Sequence, residues 1–175
     1  MRFRRFGLWA LLVYGSLLLQ SAAFARLTFF GAKPDVLLVL VVLTGVLQGK
    51  EEAARKGFFI GLFEDLFLAR FIGINALTKA TLGFLTGMVE KEVFKENVAI
   101  SVMMVWVFSL FHAALYALLM ILLGRFASLG LDYLGTILPF AFYNAMVAVV
   151  LFPLMYALLV KGPLRRKHTD SVGLF

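Results

Sequence analysis

Charged side chains within apolar stretches are the first feature of this sequence that could do chemistry. Asp65 and Lys79 each lie inside a long hydrophobic run, on opposite sides of an expected turn. At a helical rise of about 1.5 Å per residue, Asp65 lies about 6 Å and Lys79 about 9 Å from that turn. A charge at the bilayer centre costs about 2.5–3.5 kcal/mol on insertion scales, so such residues pair and commonly mark a functional site. The spacing therefore predicts an ion pair between Asp65 and Lys79.

Other polar residues extend this candidate site. Glu64, Arg70 and Asn75 are close to the predicted ion pair in sequence, and Asp35 follows Lys33-Pro34 at the start of another apolar run. A carboxylate at that position suits the positive end of a helix dipole. Three roles remain open for the cluster: an ion pair that fixes a helix hairpin, a pocket for a ligand or partner, and a path for protons or ions. The candidate pocket residues are Asp35, Glu64, Asp65, Asn75 and Lys79.

Glycines repeat at every fourth position on the same helix faces as these charges. One face carries Gly57 and Gly61, and the next carries Gly83 and Gly87. Small residues at this spacing let helix backbones approach closely in lipid. The four glycines therefore predict either packing between neighbouring helices or a groove for a partner's transmembrane helix.

The remaining polar residues do not form a catalytic set. His112 and Tyr116 lie four residues apart, but with a single nearby histidine and no cysteine, packing or an interhelical hydrogen bond is favoured over a metal site or a proton relay. Asn144 is expected to satisfy backbone groups freed by Pro139. No nucleotide-binding loop is present, and no serine has a base at useful spacing. We therefore expect neither enzymatic activity nor a cofactor or metal.

Composition decides what kind of chain positions these residues. Of the 175 residues, 62% are hydrophobic and 15% charged, with a mean hydropathy of +0.96. Soluble domains carry about 25% charged residues, so a soluble globule is excluded, and disorder is excluded by the abundance of aliphatic and aromatic residues. The absence of cysteine excludes disulfides and thiolate chemistry. The net charge of +7 follows from membrane topology, so a nucleic-acid partner is not needed to explain it.

The hydropathy pattern predicts an all-α polytopic membrane protein with one domain over residues 1–175. Six spans are expected, at about 6–24, 32–49, 51–69, 74–89, 98–123 and 133–160. The first also fits a cleavable signal peptide, the second is short enough to be re-entrant, and prolines are expected to bend the sixth. Twelve basic residues fall on the side of the N-terminus and four on the opposite side, with Lys79 left in the membrane. Both termini are therefore predicted to be cytoplasmic.

Three segments in order resemble the rod-shape-determining MreD family. They are KPDVLLVL at 33–40, GFFIGLFEDL at 57–66 and GINAL at 73–77. The family pattern is a Pro-Asp that opens an apolar run, a glycine-rich helix that ends in an acid, and a Gly-hydrophobic-Asn-Ala-Leu turn. The resemblance covers residues 33–87. The Glu64-Asp65 doublet, Arg70 and Lys79 depart from it.

The resemblance implies a non-catalytic scaffold in the bacterial inner membrane that helps control cell shape and peptidoglycan synthesis. Such a protein would bind the single-span protein MreC and, through it, the MreB filament, the RodA glycosyltransferase and a class B penicillin-binding transpeptidase. Homo-oligomerisation is also open. The family is similar in architecture to the substrate-binding subunits of energy-coupling-factor vitamin transporters. A subunit of that kind is the alternative function.

Overall fold

The computed structural model describes residues 2–22, 28, 30–68, 72–89, 97–125, 130 and 132–162, and their regular structure is helical, as predicted. The helices are α1 (Arg2–Ala22), α2 (Val36–Gln48), α3 (Lys50–Leu68), α4 (Ile74–Met88), α5 (Val98–Leu122) and α6 (Tyr133–Tyr156), and α6 continues into a π-helical turn (Ala157–Lys161). Outside the described residues lie the expected turn around Arg70, residues 23–25 of the stretch that also fits a signal-peptide cleavage site, the charged segment at 90–96 and the basic residues at 165–167.

Length and apolar content together distinguish two helical segments from the others. Among the described residues, two segments are long and apolar enough to cross a membrane, Val98–Leu122 and Tyr133–Lys161. The second contains Pro139 and Pro153 and stays helical through both. By contrast, α2 has 13 residues, which corresponds to about 20 Å of helix. The six-span topology stays a prediction.

Helix α2 lies at the centre of the bundle. All thirteen of its residues are buried, and it contacts each of the other five α-helices. A helix that is hydrophobic all round is the kind that becomes a core helix, since it has no polar face to present outward. The helix is shorter than the predicted 32–49 because Asp35 caps its start and Gly49, at a φ of 87°, ends it. The remaining helices surround this segment.

Helices α3 and α4 form a close antiparallel hairpin. A Cβ atom built on Gly83 would lie 2.5 Å from the Ala53 carbonyl oxygen, and Cβ atoms on Gly57, Gly61 and Gly87 would overlap the facing backbone still more. The four glycines are therefore occupied by packing within the chain. The alternative interpretation, that they form a groove for a partner helix, is wrong because the facing helix already fills the space.

Adding one methyl group should have opposite effects at two helical glycines. Gly83→Ala forces a contact with backbone that cannot move aside, and overpacking of this kind costs about 1–3 kcal/mol. Nothing lies within 4 Å of a Cβ at Gly135, so Gly135→Ala keeps only the gain in helix propensity of about 0.5–1 kcal/mol. Thermal unfolding in detergent should show a lower midpoint for the first variant and an equal or higher one for the second. Equal midpoints for both would contradict the hairpin packing.

Candidate functional site

A buried lysine joins three helices through two ion pairs. Lys79 of α4 has no exposed surface. Its Nζ lies 2.7 Å from Oδ2 of Asp35 and 2.5 Å from Oε2 of Glu64 on α3. Both carboxylates belong to buried residues. We call these three residues the Lys79 cluster.

The N-terminus of α2 holds the Asp35 carboxylate in place. Its Oδ1 accepts the Leu38 N–H at 2.8 Å, which leaves Oδ2 for Lys79. The Asp35 N–H donates to Oδ1 of Asn144 at 2.8 Å, and Nδ2 of Asn144 donates to Oγ of Ser109 at 3.0 Å. The cluster is thereby connected to α5 and α6 as well.

Asp65 performs a different task from its neighbour Glu64. Its carboxylate accepts the backbone N–H groups of Gly73, Asn75 and Ala76 at 2.8–3.2 Å. It also accepts Nδ2 of Asn75 at 2.8 Å. A helix N-terminus presents unpaired N–H groups and a positive dipole end, so an anion there is stabilised. Asp65 on α3 therefore caps α4 and closes the hairpin.

The predicted ion pair between Asp65 and Lys79 is wrong, although both residues are buried in the same region. Lys79 pairs with Glu64 and Asp35 instead. Adjacent helical residues point about 100° apart, so only one carboxylate of the doublet can face Lys79 while the other turns toward the start of α4. Of the five residues proposed for the cluster, Asp35, Glu64 and Lys79 bind one another. Asp65 and Asn75 form a separate contact at the start of α4.

Asn144 differs in role from the sequence-based interpretation, whereas His112 agrees with it. Asn144 does not serve the backbone near Pro139, because both its side-chain polar atoms are used toward Asp35 and Ser109. His112 is buried, and its ring stacks against Tyr116 and Phe140 with centroids 6.2 and 6.1 Å away, as the packing interpretation predicts. A pattern of buried polar residues on α5 and α6 was visible in the sequence, but their target on α2 was not.

A second polar layer lies at the other end of α2. Nζ of Lys56 donates to Oε1 of Gln48 at 2.5 Å, lies 3.6 Å from a Glu52 oxygen, and sits 3.9 Å from the centre of the Trp9 ring. Nη2 of Arg55 binds Glu52 at 2.6 Å. We call Gln48, Glu52, Arg55 and Lys56 the Lys56 layer. Three of these residues belong to the predicted span 51–69, and the sequence does not indicate their contacts with Gln48 and Trp9.

The charged groups of the Lys79 cluster neutralise one another within the chain. The ammonium donates to carboxylates of the same chain, and the Asp65 carboxylate is filled by backbone donors. Removing one member of a buried ion pair is strongly destabilising because the partner is left as an uncompensated charge. Within the described residues, no group of three or more histidine and acidic side chains is placed to hold a metal ion. The arrangement is therefore suited to fixing helices relative to one another.

The chain matches the model of a known family. The model of the family described as rod shape-determining protein MreD matches residues 1–161 of the chain. This family is a shape-determining structural family that is not known as enzymatic. No curated protein and no solved structure matches the chain significantly.

Removing the charges of Asp35 and Glu64 should restore part of the stability that is lost when Lys79 is replaced. Lys79→Met leaves two buried carboxylates without a counter-charge, and breaking a buried pair costs about 3–5 kcal/mol. Adding Asp35→Asn and Glu64→Gln removes both charges while keeping polar caps and similar volumes, so part of that stability should return. Unfolding in mixed micelles measures each step, with Lys50→Met on the exposed start of α3 as the control. A triple variant less stable than Lys79→Met would contradict the cluster.

Double-mutant cycles should distinguish the two adjacent acids. The cycle of Glu64→Gln with Lys79→Met should give a coupling of about 0.5–3 kcal/mol, as for residues in direct contact. The cycle of Asp65→Ala with Lys79→Met should give a smaller coupling, because Asp65 binds the start of α4 rather than the lysine. The single change Asp65→Ala should still destabilise the protein by about 1–3 kcal/mol through unpaired N–H groups. A larger coupling for Asp65 than for Glu64 would reverse the assignment.

Proposed function

The chain belongs to the rod shape-determining protein MreD family, a family of membrane proteins, and from this premise we propose that it is a non-catalytic scaffold of the bacterial elongation machinery. In this role it lies in the inner membrane and binds the transmembrane helix of MreC. Through MreC it is linked to the MreB filament, to RodA and to a class B penicillin-binding transpeptidase, and so to peptidoglycan synthesis. Its own task is to present a fixed surface.

The proposal depends on one observation, which is that the buried polar groups bind other groups of the same chain. Lys79, Asp35 and Glu64 bind one another, and Asp65 binds the start of α4. A substrate pocket needs polar groups that converge on a ligand. Here those groups converge on each other, which supports a rigid scaffold over a vitamin-binding transporter subunit.

The proposed topology places all six α-helices in the membrane with both termini in the cytoplasm. Helices α5 and α6, with its π-helical turn, have spanning length, and the short α2 is enclosed by the others. The Lys56 layer then lies at the cytoplasmic side, in agreement with the positive-inside rule. The Lys79 cluster lies toward the opposite face.

We further propose that the partner helix docks on the outer face of α5. Met103, Val107, Phe111 and Leu118 are all more than 40% exposed along this helix. Their spacing of four and seven residues places them on one stripe. A single-span partner needs about 30 Å of facing surface to remain paired across the bilayer. The 25-residue α5 offers about 37 Å.

Site-specific crosslinking tests both the partner and the surface. The chain has no cysteine, so single cysteines can be placed at Val107 or Phe111 without background. Membranes from cells that also carry single-cysteine MreC should give a disulfide-linked pair at one or both positions. Each variant should remain folded, since these side chains do not enter the core.

The matched control is a cysteine at Phe59, which is 62% exposed on α3. It should give no crosslink to MreC. Crosslinking at Phe59 alone would move the docking surface to α3 while leaving the scaffold role intact. Failure of MreC to co-purify with the protein under any condition would contradict the scaffold itself.

A further inference from the structure

The apolar part of the hairpin's outer surface is shorter along the helix axis than that of α5 and α6. Helix α3 has 19 residues, but five of its first seven are charged. Residues 57–68 form the apolar part, and its two acids face inward and are buried. Twelve residues correspond to about 18 Å of helix, whereas the hydrocarbon core of a bilayer is about 30 Å thick.

The contacts between α3 and α4 show that the two helices lie side by side. A shift of one helix along the other therefore does not extend the apolar surface of the hairpin. Gly87 faces the backbone of Lys50, and Gly61 faces that of Asn75. The 15-residue α4 therefore lies alongside α3 and covers about 22 Å. Both helices of the hairpin are shorter than the hydrocarbon core.

Long side chains do not remove this difference. Arg55 and Lys56 can extend toward headgroups, since such side chains place their charge in water while their stems remain in apolar surroundings. Glu52 is shorter, binds Arg55 at 2.6 Å and lies one turn before Lys56. If Glu52 marks the end of the apolar part, residues 53–68 correspond to about 24 Å of helix. It is still below 30 Å.

The exposed residues of this short band are large and apolar. Phe58, Phe59, Phe63, Leu66 and Phe67 are between 42% and 62% exposed. Helix α5 and the segment from Tyr133 to Lys161 have 25 and 29 residues, which correspond to about 37 and 43 Å. One molecule thus presents a short apolar face and a long one.

Resting on the membrane topology of the proposed function, we propose that the α3 face is fitted to a locally thinned bilayer and that phospholipid acyl chains are its occupant. A helix face shorter than the hydrocarbon core is accommodated by thinning the bilayer beside it. The hydrocarbon layer is about 18–24 Å thick along α3 and of ordinary thickness along α5. A full-length partner helix therefore matches α5 better than α3.

Depth measurements on nitroxide labels test this directly. Single cysteines are placed at Phe59, Phe63 and Phe67 on α3, and at Met103, Val107, Phe111 and Leu118 on α5. The full chain is reconstituted at low density in phosphatidylcholine with 18-carbon chains, and collision rates with oxygen and with a water-soluble nickel chelate give each depth. The deepest α3 label should lie about 9–12 Å below the headgroups, and the deepest α5 label about 15 Å, half the layer in each case.

A variant that moves the polar boundary provides the matched control. Glu52→Leu with Arg55→Leu leaves Glu51 as the next charge on the exposed face, four residues before Arg55. The apolar band is thereby lengthened by about 6 Å, so the Phe63 label should become deeper by about 3 Å. The Val107 label should not change. Equal maximum depths on α3 and α5 in the parent protein would overturn the thinning. So would α3 labels that neither oxygen nor the chelate reaches, because protein rather than lipid would then cover them. Labels on α3 fully accessible to the chelate would instead contradict the membrane topology.

Discussion

The Lys79 ammonium is buried at a point where four helices come close together, and this burial is the constraint on which the rest of the structure depends. A charge removed from water must be compensated at close range, and two carboxylates from different helices do this at 2.5 and 2.7 Å. Since the lysine is on α4, Glu64 on α3 and Asp35 at the start of α2, the compensation fixes three helices at once. Asn144 extends the connection to α6 by binding the Asp35 N–H.

Close packing and charge compensation occur at the same level of the hairpin. A Cβ on Gly57 would overlap the Lys79 carbonyl, so the lysine lies at one of the points where the two backbones come very close. One turn away, Gly61 faces Asn75, the residue whose N–H and side chain bind Asp65. Glycine spacing of this kind permits short interhelical distances in lipid. The short distance is what lets carboxylates of α3 reach both the lysine and the start of α4.

Much of the helix layout could be predicted from the sequence, because apolar runs mark the helices and charged segments mark where they are interrupted. The starts of α4, α5 and α6 were located within a residue, and the region containing Lys79 was recognised as the polar centre. The partners were not, for a physical reason. Choosing Glu64 over Asp65 requires knowing the rotation of α3, and Asp35 is 44 residues from Lys79 along the chain. Asn144 is a further example, since its partner Asp35 is 109 residues away.

The same constraint also limits the height of the hairpin. Asp65 caps α4 only one residue after Glu64 binds Lys79, so α3 ends within a turn of the cluster and α4 begins at the same level. At the other end, Glu52 and Lys56 place charge about 12–18 Å away along the helix. A taller apolar hairpin would have to move the cap away from the cluster, which would leave either the lysine or the helix N-terminus without its carboxylate. The short α3 face is therefore a consequence of how the buried lysine is neutralised.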